Sequence, residues 1–538
     1  MRVRAVLLAL MTGGWLAAGD ARAASYDLQW TAVWDSPTHG NEAAEDVALD
    51  GSGNSYVVGW TDRTDIGEGL NILVLKYSFS GALLWTRTHN GIPGGMDAAF
   101  GVAVDLSGNC FVAGSVSLTG GEAAGWLRMY DTAGNVMWTM TGTSPDPGHQ
   151  AVFRDVAVAP GGGTVYVAGC LERGAPIQAG NGLLLKVWST TFSGTPIWSV
   201  DADGGYGFWD EFLGVAVAPN GDPLVAGYQT LTDVYSLLDG AIMGRLDTML
   251  GRLITVVDTD IVAARYTPAG APVWRRSWGS QNNASAFTMD AGYGIAASAA
   301  GAVFVSGTAA SSNAPPVNYD RWVRAWTGDG NAVTWTRLID LGQDDRTDAG
   351  FRCATGPDGR LFVAGFTARP DVYRPQNLTL EQIDPSSGFI IHSDSYSSGY
   401  FLYDQGRGVA VDQSGSYVVA GFETRTDLSQ GMNVLVRKYS GPVSPAQAAG
   451  VEVVYPNPFD PGRAVGGTLK FANLPANASV RIWSAAGLLV ARVPVAGQGA
   501  AWDGRTGDGR PAAPGIYHYT IEAPGTPRVT GMIMLQRQ

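Results

Sequence analysis

The sequence predicts an all-β protein in which a seven-bladed β-propeller, closed by its N-terminal strand, precedes a small Ig-like β-sandwich. Three observations predict this fold. A unit recurs seven times, each copy divides into four short apolar runs separated by turn residues, and a shorter set of alternating runs follows a Pro/Ala/Gly-rich stretch. Glycine accounts for 73 of 538 residues and 45% of the chain is hydrophobic, a composition that excludes a disordered chain.

The repeats share a short signature. Residues 46–59 read DVALDGSGNSYVVG and residues 101–114 read GVAVDLSGNCFVAG; further copies lie at 155–169, 214–227, 294–307, 352–365 and 408–421. The closing glycines of successive copies are 55, 55, 58, 80, 58 and 56 residues apart, so the period is regular with one insertion. Four strands in a period of roughly 40 to 60 residues are typical of one propeller blade.

Each element of the unit has a recognisable composition. In the first copy the predicted strands are 47–49, 56–58, 71–77 and 82–88, and glycine-containing hairpin turns separate them. Innermost strands crowd around the axis of a propeller, which explains a small residue at one position of the first strand in every copy: Ala48, Ala103, Ala157, Ala216, Ala296, Ala354 and Ala410. The wider outer gap accepts large rings in the fourth strand: Trp85, Trp138, Trp198, Trp274 and Trp335. We interpret these tryptophans as core residues rather than as a binding site.

The ends of the repeat region complement each other. The seventh copy ends with its third strand, 434–439, and no tryptophan-bearing fourth strand follows. Residues 28–34 form such a strand, because Trp30 precedes Val47 by 17 residues, just as Trp85 precedes Val102. We expect this strand to complete the seventh blade, which would leave no long free sheet edge.

The consensus of the copies also has a family resemblance. The pattern D-x-A-x-G-V-A-V-D-x-x-G-N-x-Y-V-A-G, followed by a K-Y strand and a G-x-x-x-W strand, resembles the bacterial SBBP β-propeller repeat across residues 26–440. The resemblance implies an exported propeller. It implies no defined ligand.

The C-terminal region is predicted to be a separate domain. Residues 441–450 (GPVSPAQAAG) form a predicted linker, and short alternating runs at 467–471, 478–482, 487–493 and 515–521 predict a small Ig-like sandwich over 451–538.

Four motifs of this domain occur in the order of a known family. They are YPNPF (455–459), AAGLLV (485–490), WDGRTGDGR (502–510) and APGIYHYTI (513–521). They resemble the C-terminal sorting domain of type IX secretion cargo and the related Ig-like domain of flagellar hook-capping proteins. The resemblance implies that outer-membrane export machinery is a partner, with release or surface attachment afterwards. The alternative is an Ig-like accessory domain without a sorting role, with WDG as a turn carrying a packed tryptophan.

The first residues predict export. Residues 1–23 have the plan of a secretory signal peptide, with a basic start, a short apolar run and Ala-Arg-Ala before the expected cleavage. No apolar run reaches the roughly 20 residues needed to span a membrane.

The cysteines and the net charge exclude several kinds of site and partner. Cys110, Cys170 and Cys353 are too scattered for a disulfide framework or a Cys-x-x-Cys metal site. The net charge of −13 argues against nucleic acid and anionic membranes as partners.

One acidic position recurs five residues before each inner strand. Six copies carry a carboxylate there and the third carries Gln150: Glu42, Asp97, Asp210, Asp290, Asp348 and Asp404. In a ring these residues share one end of the central channel, where they would form a rim for a cation such as Ca²⁺ or for a basic or hydroxyl-rich ligand. The alternative is that each carboxylate caps its own loop by accepting backbone N–H groups. Three nearby arginines are expected to neutralise part of this rim: Arg154, Arg352 and Arg407.

The fourth copy contains an insertion at 230–259. Its apolar residues are spaced as on one face of a helix, although two glycines weaken that pattern: Ile242, Leu246, Leu250 and Leu253. We interpret it as a surface element on its own blade, with a lid or a partner-docking element as the alternative.

These observations favour an exported, non-enzymatic propeller for binding or structural display at the cell surface or outside the cell, with an unknown extracellular protein or glycan as partner. Nearly every conspicuous polar residue is repeated, whereas catalysis requires one unequal set of groups. No nucleophile elbow, metal triad or phosphate loop occurs. The alternative is a secreted carbohydrate-active enzyme, a glycosidase or lyase, with carboxylates or histidines clustered in a deep pocket over the channel mouth.

Overall fold

The structure is a computed structural model that forms two compact units, Tyr26–Gly441 and Pro442–Gln538. The predicted signal peptide, 1–23, and the predicted linker, 441–450, lie outside the described residues. The structure describes residues 27–538 except 175–178, 190–194, 204–209, 234–244, 248–251, 255–256, 281–287, 312–318, 340–346, 369–375, 399–402, 426–427, 429, 441–452, 456–458, 463–466, 473, 475–476, 485–487, 497–498, 523–528 and 538.

The first unit consists of β-strands. After strand β1 (Leu28–Trp34), the first three sheets contain β2 (Glu42–Leu49), β3 (Ser55–Asp62), β4 (Gly69–Tyr77), β5 (Leu83–His89) and the short β6 (Gly95–Met96); β7 (Ala98–Val104), β8 (Cys110–Ser117), β9 (Ala123–Tyr130) and β10 (Val136–Gly142); and β11 (Ala151–Val158), β12 (Thr164–Arg173), β13 (Ala179–Trp188) and β14 (Trp198–Ala202). A 3₁₀ turn, Thr64–Ile66, precedes β4.

The remaining strands of this unit follow the same plan. They are β15 (Glu211–Val217), β16 (Pro223–Asp233), β17 (Arg245–Asp247), β18 (Arg252–Ile254), β19 (Val257–Tyr266) and β20 (Pro272–Trp278); β21 (Ala291–Ala297), β22 (Val303–Ala310), β23 (Tyr319–Trp326) and β24 (Val333–Ile339); β25 (Ala349–Thr355), β26 (Leu361–Ala368), β27 (Gln376–Ile383) and β28 (Ile390–Tyr396); and β29 (Gln405–Val411), β30 (Tyr417–Thr424) and β31 (Met432–Tyr439).

In the described part of this unit, these strands form seven antiparallel sheets of four main strands, numbered 1 to 7 in chain order from β2; in addition, β6 pairs parallel with β4, and β17 and β18 form a separate two-stranded sheet. The first strand of each sheet contacts the first strand of the next, and β29 of sheet 7 contacts β2 of sheet 1. Apolar side chains fill the space between successive sheets, for example Val58 of sheet 1 against Val112 of sheet 2. Four-stranded antiparallel sheets arranged in cyclic order around their first strands define a β-propeller.

The N-terminal strand belongs to the last sheet. Strand β1 pairs antiparallel with β31, and Trp30 faces Lys438 while Trp34 faces Val434. The amide of Asp27 also donates to Oγ of Ser440 (3.0 Å). This is the pairing that the 17-residue offset predicts.

The outer-strand tryptophans join neighbouring sheets. The indole N–H of Trp335, in sheet 5, donates to the carbonyl of Pro385 (2.8 Å) in the hairpin between the third and fourth strands of sheet 6. Five other tryptophans make the same bond to the next sheet: Trp30 to Phe79, Trp85 to Thr132, Trp138 to Ser189, Trp198 to Pro268 and Trp274 to Gly328. The tryptophans that we interpret as core residues therefore also hold neighbouring sheets together through hydrogen bonds, and we call each such bond a latch.

The insertion in the fourth copy is not helical in its described part. Strands β17 and β18 pair antiparallel, and Leu246 faces Leu253 across the hairpin. The predicted apolar helical stripe is therefore wrong at these two positions. Gly244 and Gly251, which weakened the helical pattern, each precede one of the two strands.

The second unit consists of two four-stranded antiparallel sheets around one core that includes Phe459, Ile482 and Trp502. The Trp502 indole donates to the carbonyl of Arg505 (2.7 Å), as in the interpretation of WDG as a turn with a packed tryptophan. Its strands are β32 (Val453–Tyr455), β33 (Leu469–Ala472), β34 (Ser479–Ser484), β35 (Leu489–Val493), β36 (Val495–Ala496), β37 (Gly499–Trp502), β38 (Gly515–Glu522) and β39 (Val529–Leu535). Of the helices in the described residues, none is long and apolar enough to cross a membrane.

Candidate functional site

The six carboxylates of the predicted rim lie at the starts of the inner strands and are almost fully buried. Asp97 has the shared arrangement: Oδ1 accepts the backbone N–H of Ser117 (2.7 Å) at the end of the second strand, and Oδ2 accepts that of Gly91 in the incoming loop. Four others accept the equivalent second-strand N–H at 2.8–3.1 Å: Asp210 from Thr230, Asp290 from Ala310, Asp348 from Ala368 and Asp404 from Thr424. Glu42 accepts the hydroxyl of Thr61 (3.4 Å).

Three of these carboxylates also accept a backbone N–H from their own incoming loop, as loop capping predicts: Asp97 from Gly91, Asp290 from Ser280 and Asp404 from Ser398. In the third copy, where glutamine replaces the acid, Glu172 of the second strand supplies the carboxylate and accepts the N–H of Gln150 (2.9 Å). Burial raises the pKa of Glu42 and Asp97, and that of Asp404 to about 6. Across the described parts of the chain, no three His, Cys, Asp or Glu side chains are grouped so that they could hold a metal ion. Cation binding at the rim stays a prediction.

A second set of charges lies where the inner strands approach the axis. The residue before the strand's central Val, Ile or Cys is charged in three sheets and glycine in four: Asp46, Gly101, Asp155, Gly214, Gly294, Arg352 and Gly408. Arg352 of sheet 6 crosses to sheet 3, where Nη1 donates to Oδ2 of Asp155 (2.6 Å). Its Nε lies 3.9 Å from Oδ1 of Asp46 in sheet 1. We call these three charged residues the axial cluster.

Backbone groups hold the axial cluster in place. Nη2 of Arg352 donates to the carbonyl of Phe100 (3.0 Å), and Nη1 donates to that of Leu213 (3.2 Å). Asp46 accepts the N–H of Val102 (3.1 Å) and Asp155 accepts that of Val215 (2.8 Å), so each aspartate joins its strand to the next inner strand. The arginine and both aspartates are thus tied to fixed backbone positions.

The glycines at the axis leave room for the charged side chains. A Cβ on Gly101 would lie 2.6 Å from Cα of Asp155, and one on Gly408 would lie 2.7 Å from Cα of Asp46. Real Cβ atoms do not approach this closely, so each glycine lets its strand lie against a neighbour that carries a charged residue. The alternation of glycine with three charges follows from this crowding.

The axial cluster borders a cavity of about 150 Å³, which Val47, Val156 and Ile295 also line. Ligand pockets commonly measure roughly 300–1,000 Å³, so this space suits a few waters rather than a sugar ring. Burial raises the pKa of Asp46 to about 7, because Arg352 offsets only part of the desolvation, and it also raises the pKa of Asp155. The cluster therefore forms a narrow polar floor to the channel.

A ring of unequal side chains lies one residue nearer to the strand starts. In every inner strand the pairing with the second strand is interrupted by a β-bulge at this position, and bulges re-aim side chains. The seven side chains, one from each sheet and all half-buried, are Glu45, Phe100, Arg154, Leu213, Tyr293, Phe351 and Arg407. We call this set the mouth ring.

Neighbouring members of the mouth ring stack on one another. The guanidinium of Arg154 lies 4.8 Å from the ring centre of Phe100, and that of Arg407 lies 4.2 Å from the ring centre of Phe351. Tyr293 meets Phe351 edge to face at 5.4 Å. Two aromatic–arginine pairs therefore lie on different sides of the ring, and tyrosine extends one of them.

The two arginines of the mouth ring differ in their partners. Nε of Arg154 forms a 2.6 Å ion pair with Glu211, whose other oxygen accepts the hydroxyl of Tyr228 (3.1 Å). Nη1 of Arg407 lies 4.0 Å from Oε2 of Glu45, and the other oxygen of Glu45 accepts the indole N–H of Trp60. Within the described residues, the buried Nε of Arg407 has no hydrogen-bond partner.

The structure corrects the expected role of the arginines. Arg154 pairs with Glu211 and Arg352 pairs with the axial aspartates, while Glu45 lies 4.0 Å from Arg407; none of the ion pairs described for these arginines involves one of the six rim carboxylates. The cause is the bulge, which directs residue 154 and residue 407 into the mouth ring and residue 352 to the axis.

The sequence signature does not predict the mouth ring or the axial cluster, because it consists of residues that recur in every copy, and the residues of these two sets differ from copy to copy. The signal lay in two adjacent columns of the aligned copies: one alternates glycine with charge, and the one before it is variable and rich in aromatic and arginine residues.

Comparison with known proteins places this chain in no family, since no family model and no curated protein matches it. Solved structures do match. BamB from Moraxella catarrhalis is 10% identical over 77% of this chain and 100% of its own (TM-score 0.33). The β-propeller domain of the Trilobed protease from Pyrococcus furiosus is 8% identical over 74% and 97% (TM-score 0.37). PorZ, a surface component of the type-IX secretion system of Porphyromonas gingivalis, is 12% identical over 92% and 81% (TM-score 0.28). These TM-scores add nothing to the β-propeller class that the strand order defines.

Proposed function

We propose that this chain is an exported, non-enzymatic binding protein. Its seven sheets are the blades of a closed propeller, the mouth ring receives an extracellular ligand, and residues 451–538 are an Ig-like sorting domain that directs delivery to the cell surface or outside the cell. The mouth ring is the observation that carries the proposal, because equivalent positions of the seven sheets hold half-exposed side chains of five different types there.

The chemistry of the mouth ring supports binding. Aromatic and arginine side chains are enriched where proteins recognise ligands, because they offer large contact areas and directed donors. Here three aromatic rings and two arginines surround one opening, and bulges fix their positions. The floor beneath them is occupied by Arg352, so a ligand would rest on the mouth rather than thread the channel.

The alternative of a carbohydrate-active enzyme draws support from one feature, the two unequal aspartates of the axial cluster. However, both aspartates accept backbone N–H groups, and Arg352 lies against both. A glycosidase needs one carboxylic acid free to protonate a leaving group and a second carboxylate facing the same sugar. The small cavity beside them also favours binding over hydrolysis.

The delivery proposal is tested by fractionating bacteria that express the full chain, a form lacking residues 451–538, or an inert secreted reporter fused to those residues. We expect the full chain and the fusion outside the cell or on its surface, and the truncated form retained in the periplasm in a protease-resistant, folded state. Unchanged delivery of the truncated form would remove the sorting role.

A further inference from the structure

We propose that the mouth ring binds an acidic sugar, with the sugar carboxylate on Arg407 and the pyranose ring against Phe351 and Tyr293. This inference rests on the proposed binding function and names the ligand class of the same site.

The donor for the carboxylate is Arg407. Its guanidinium carbon lies 4.2 Å from the ring centre of Phe351 and 5.9 Å from that of Phe422. Its side chain is 29% exposed, and its Nε is buried without an acceptor among the described residues, so a ligand would meet the terminal Nη1 and Nη2 groups. These two nitrogens match the two oxygens of a carboxylate, and such paired bonds are among the stronger ones in proteins.

Protein carboxylates leave this cation largely available. Glu45 is 4.0 Å away and already accepts the indole N–H of Trp60 (3.2 Å), so it lies beyond hydrogen-bonding distance of Arg407. On the other side of the ring, Nε of Arg154 forms an ion pair with Glu211 at 2.6 Å, so the charge of Arg154 is already balanced. Arg407 is therefore the better anion site of the two.

The surroundings favour a sugar over an acidic peptide. A pyranose presents hydroxyl donors, which Glu45 can accept at one edge of the site, and a flat apolar face, which Phe351 and Tyr293 can cover. The side chains of an acidic peptide offer Glu45 no hydroxyl donor and offer the two aromatic rings no pyranose face. The occupied floor also limits the site to a compact group, such as a single sugar residue, that enters from above.

Calorimetry on the full secreted chain tests this inference with four probes: a galacturonic acid trimer, the neutral galactose trimer, a triglutamate peptide and free galacturonic acid. We expect the acidic trimer to bind and the neutral trimer and the peptide to bind at least about tenfold more weakly, which corresponds to one lost charge-assisted interaction. Arg407→Gln should weaken the acidic trimer by about tenfold or more, and Arg407→Lys should restore only part of the affinity, because an ammonium lacks the paired donors.

Arg276→Gln is the matched control, because Arg276 lies in an outer strand, β20, where its Nε donates to the carbonyl of Gly330 (2.9 Å), and it is not part of the mouth ring. It should leave the affinity for the acidic trimer within about threefold and lower the melting temperature, since the carbonyl of Gly330 loses a charged donor. The affinity for free galacturonic acid shows whether one sugar residue is enough for binding or whether a longer chain is needed.

The outcomes separate the two proposals. Equal binding of acidic and neutral trimers, tighter binding of the peptide, or an unaffected Arg407→Gln variant with a wild-type melting temperature would overturn the acidic-sugar assignment while leaving export and binding standing. Cleavage of any trimer during the titration, detected by mass spectrometry, would instead overturn the non-enzymatic function.

Discussion

The indole N–H of Trp30, in the first strand of the propeller unit, donates to the carbonyl of Phe79 in sheet 1 across a distance of 2.9 Å. This bond ties the N-terminal strand, which completes sheet 7, to the neighbouring sheet. The position lacks a tryptophan only in sheet 6, where His392 takes its place opposite Gln382. Sheet 7 has no hairpin between its third and fourth strands, because its fourth strand is β1, so an indole in sheet 6 would have no hairpin carbonyl to bind.

The latch predicts a specific stability difference between two tryptophans. Trp335→Phe removes a buried indole that donates to Pro385 and should lower the free energy of unfolding by about 2 kcal/mol. Trp188→Phe, at a position 50% exposed, should cost less than about 0.5 kcal/mol. Differential scanning calorimetry of both variants measures the difference, and equal melting temperatures would refute the latch.

The axial cluster predicts a pH dependence. The pKa of Asp46 is about 7 in the folded chain, against about 3.9 for an unfolded aspartate. A raised pKa stabilises the fold below the unfolded value, and this stabilisation is lost as the pH rises from about 4 through 7. The melting temperature should therefore be higher at about pH 5 than at about pH 7.5.

Asp46→Asn should reduce that pH difference, because asparagine mimics the uncharged acid and keeps an acceptor for the N–H of Val102. The remaining dependence should come from Asp155, Asp404, Glu42 and Asp97, whose pKa values are also raised by burial. Melting curves at the two pH values check this. An undiminished difference in the variant would mean that Asp46 does not titrate in this range.

The buried carboxylates at the strand starts predict a structural effect rather than a calcium effect. Asp97→Asn replaces a charged acceptor of the Gly91 and Ser117 amides and should lower the free energy of unfolding by about 1–3 kcal/mol. Millimolar Ca²⁺ should leave the melting temperature of both proteins unchanged and give no heat of binding. A calcium-dependent rise in the wild type that Asp97→Asn abolishes would establish the cation rim instead.

Much of the fold can be predicted from the repeats, because each sheet has the same geometry. The alternation in residues 46–59 and its copies, the glycine turns and the offset of Trp30 suffice to predict four-stranded sheets and the pairing of β1 with β31. Each feature is local, or is repeated at a constant separation. Such signals survive without any knowledge of packing.

The candidate site could not be predicted in this way, because it depends on bulges and on contacts between residues far apart in the sequence. A β-bulge adds one residue to the inner strand, so it shifts Arg407 and its equivalents out of the simple alternation that predicts which face a side chain takes. The contact between Arg352 and Asp155 joins residues 197 positions apart, and no local pattern reports it. In the insertion, the spacing of Leu246 and Leu253 fits one face of a helix, yet the described segment is a hairpin. The same two residues are also partners when two short strands pair, so their spacing alone does not distinguish the two structures.

The ring itself is tested most directly by a double-mutant cycle between Arg352 and Asp155, which lie in sheets 6 and 3 and can meet only across the axis. Arg352→Met and Asp155→Asn should each lower the free energy of unfolding by about 3–5 kcal/mol, because each removes one half of the buried 2.6 Å ion pair. The double variant should cost less than the sum by about 1–3 kcal/mol. Additive losses, within about 0.5 kcal/mol, would contradict a closed ring with a shared axial cluster.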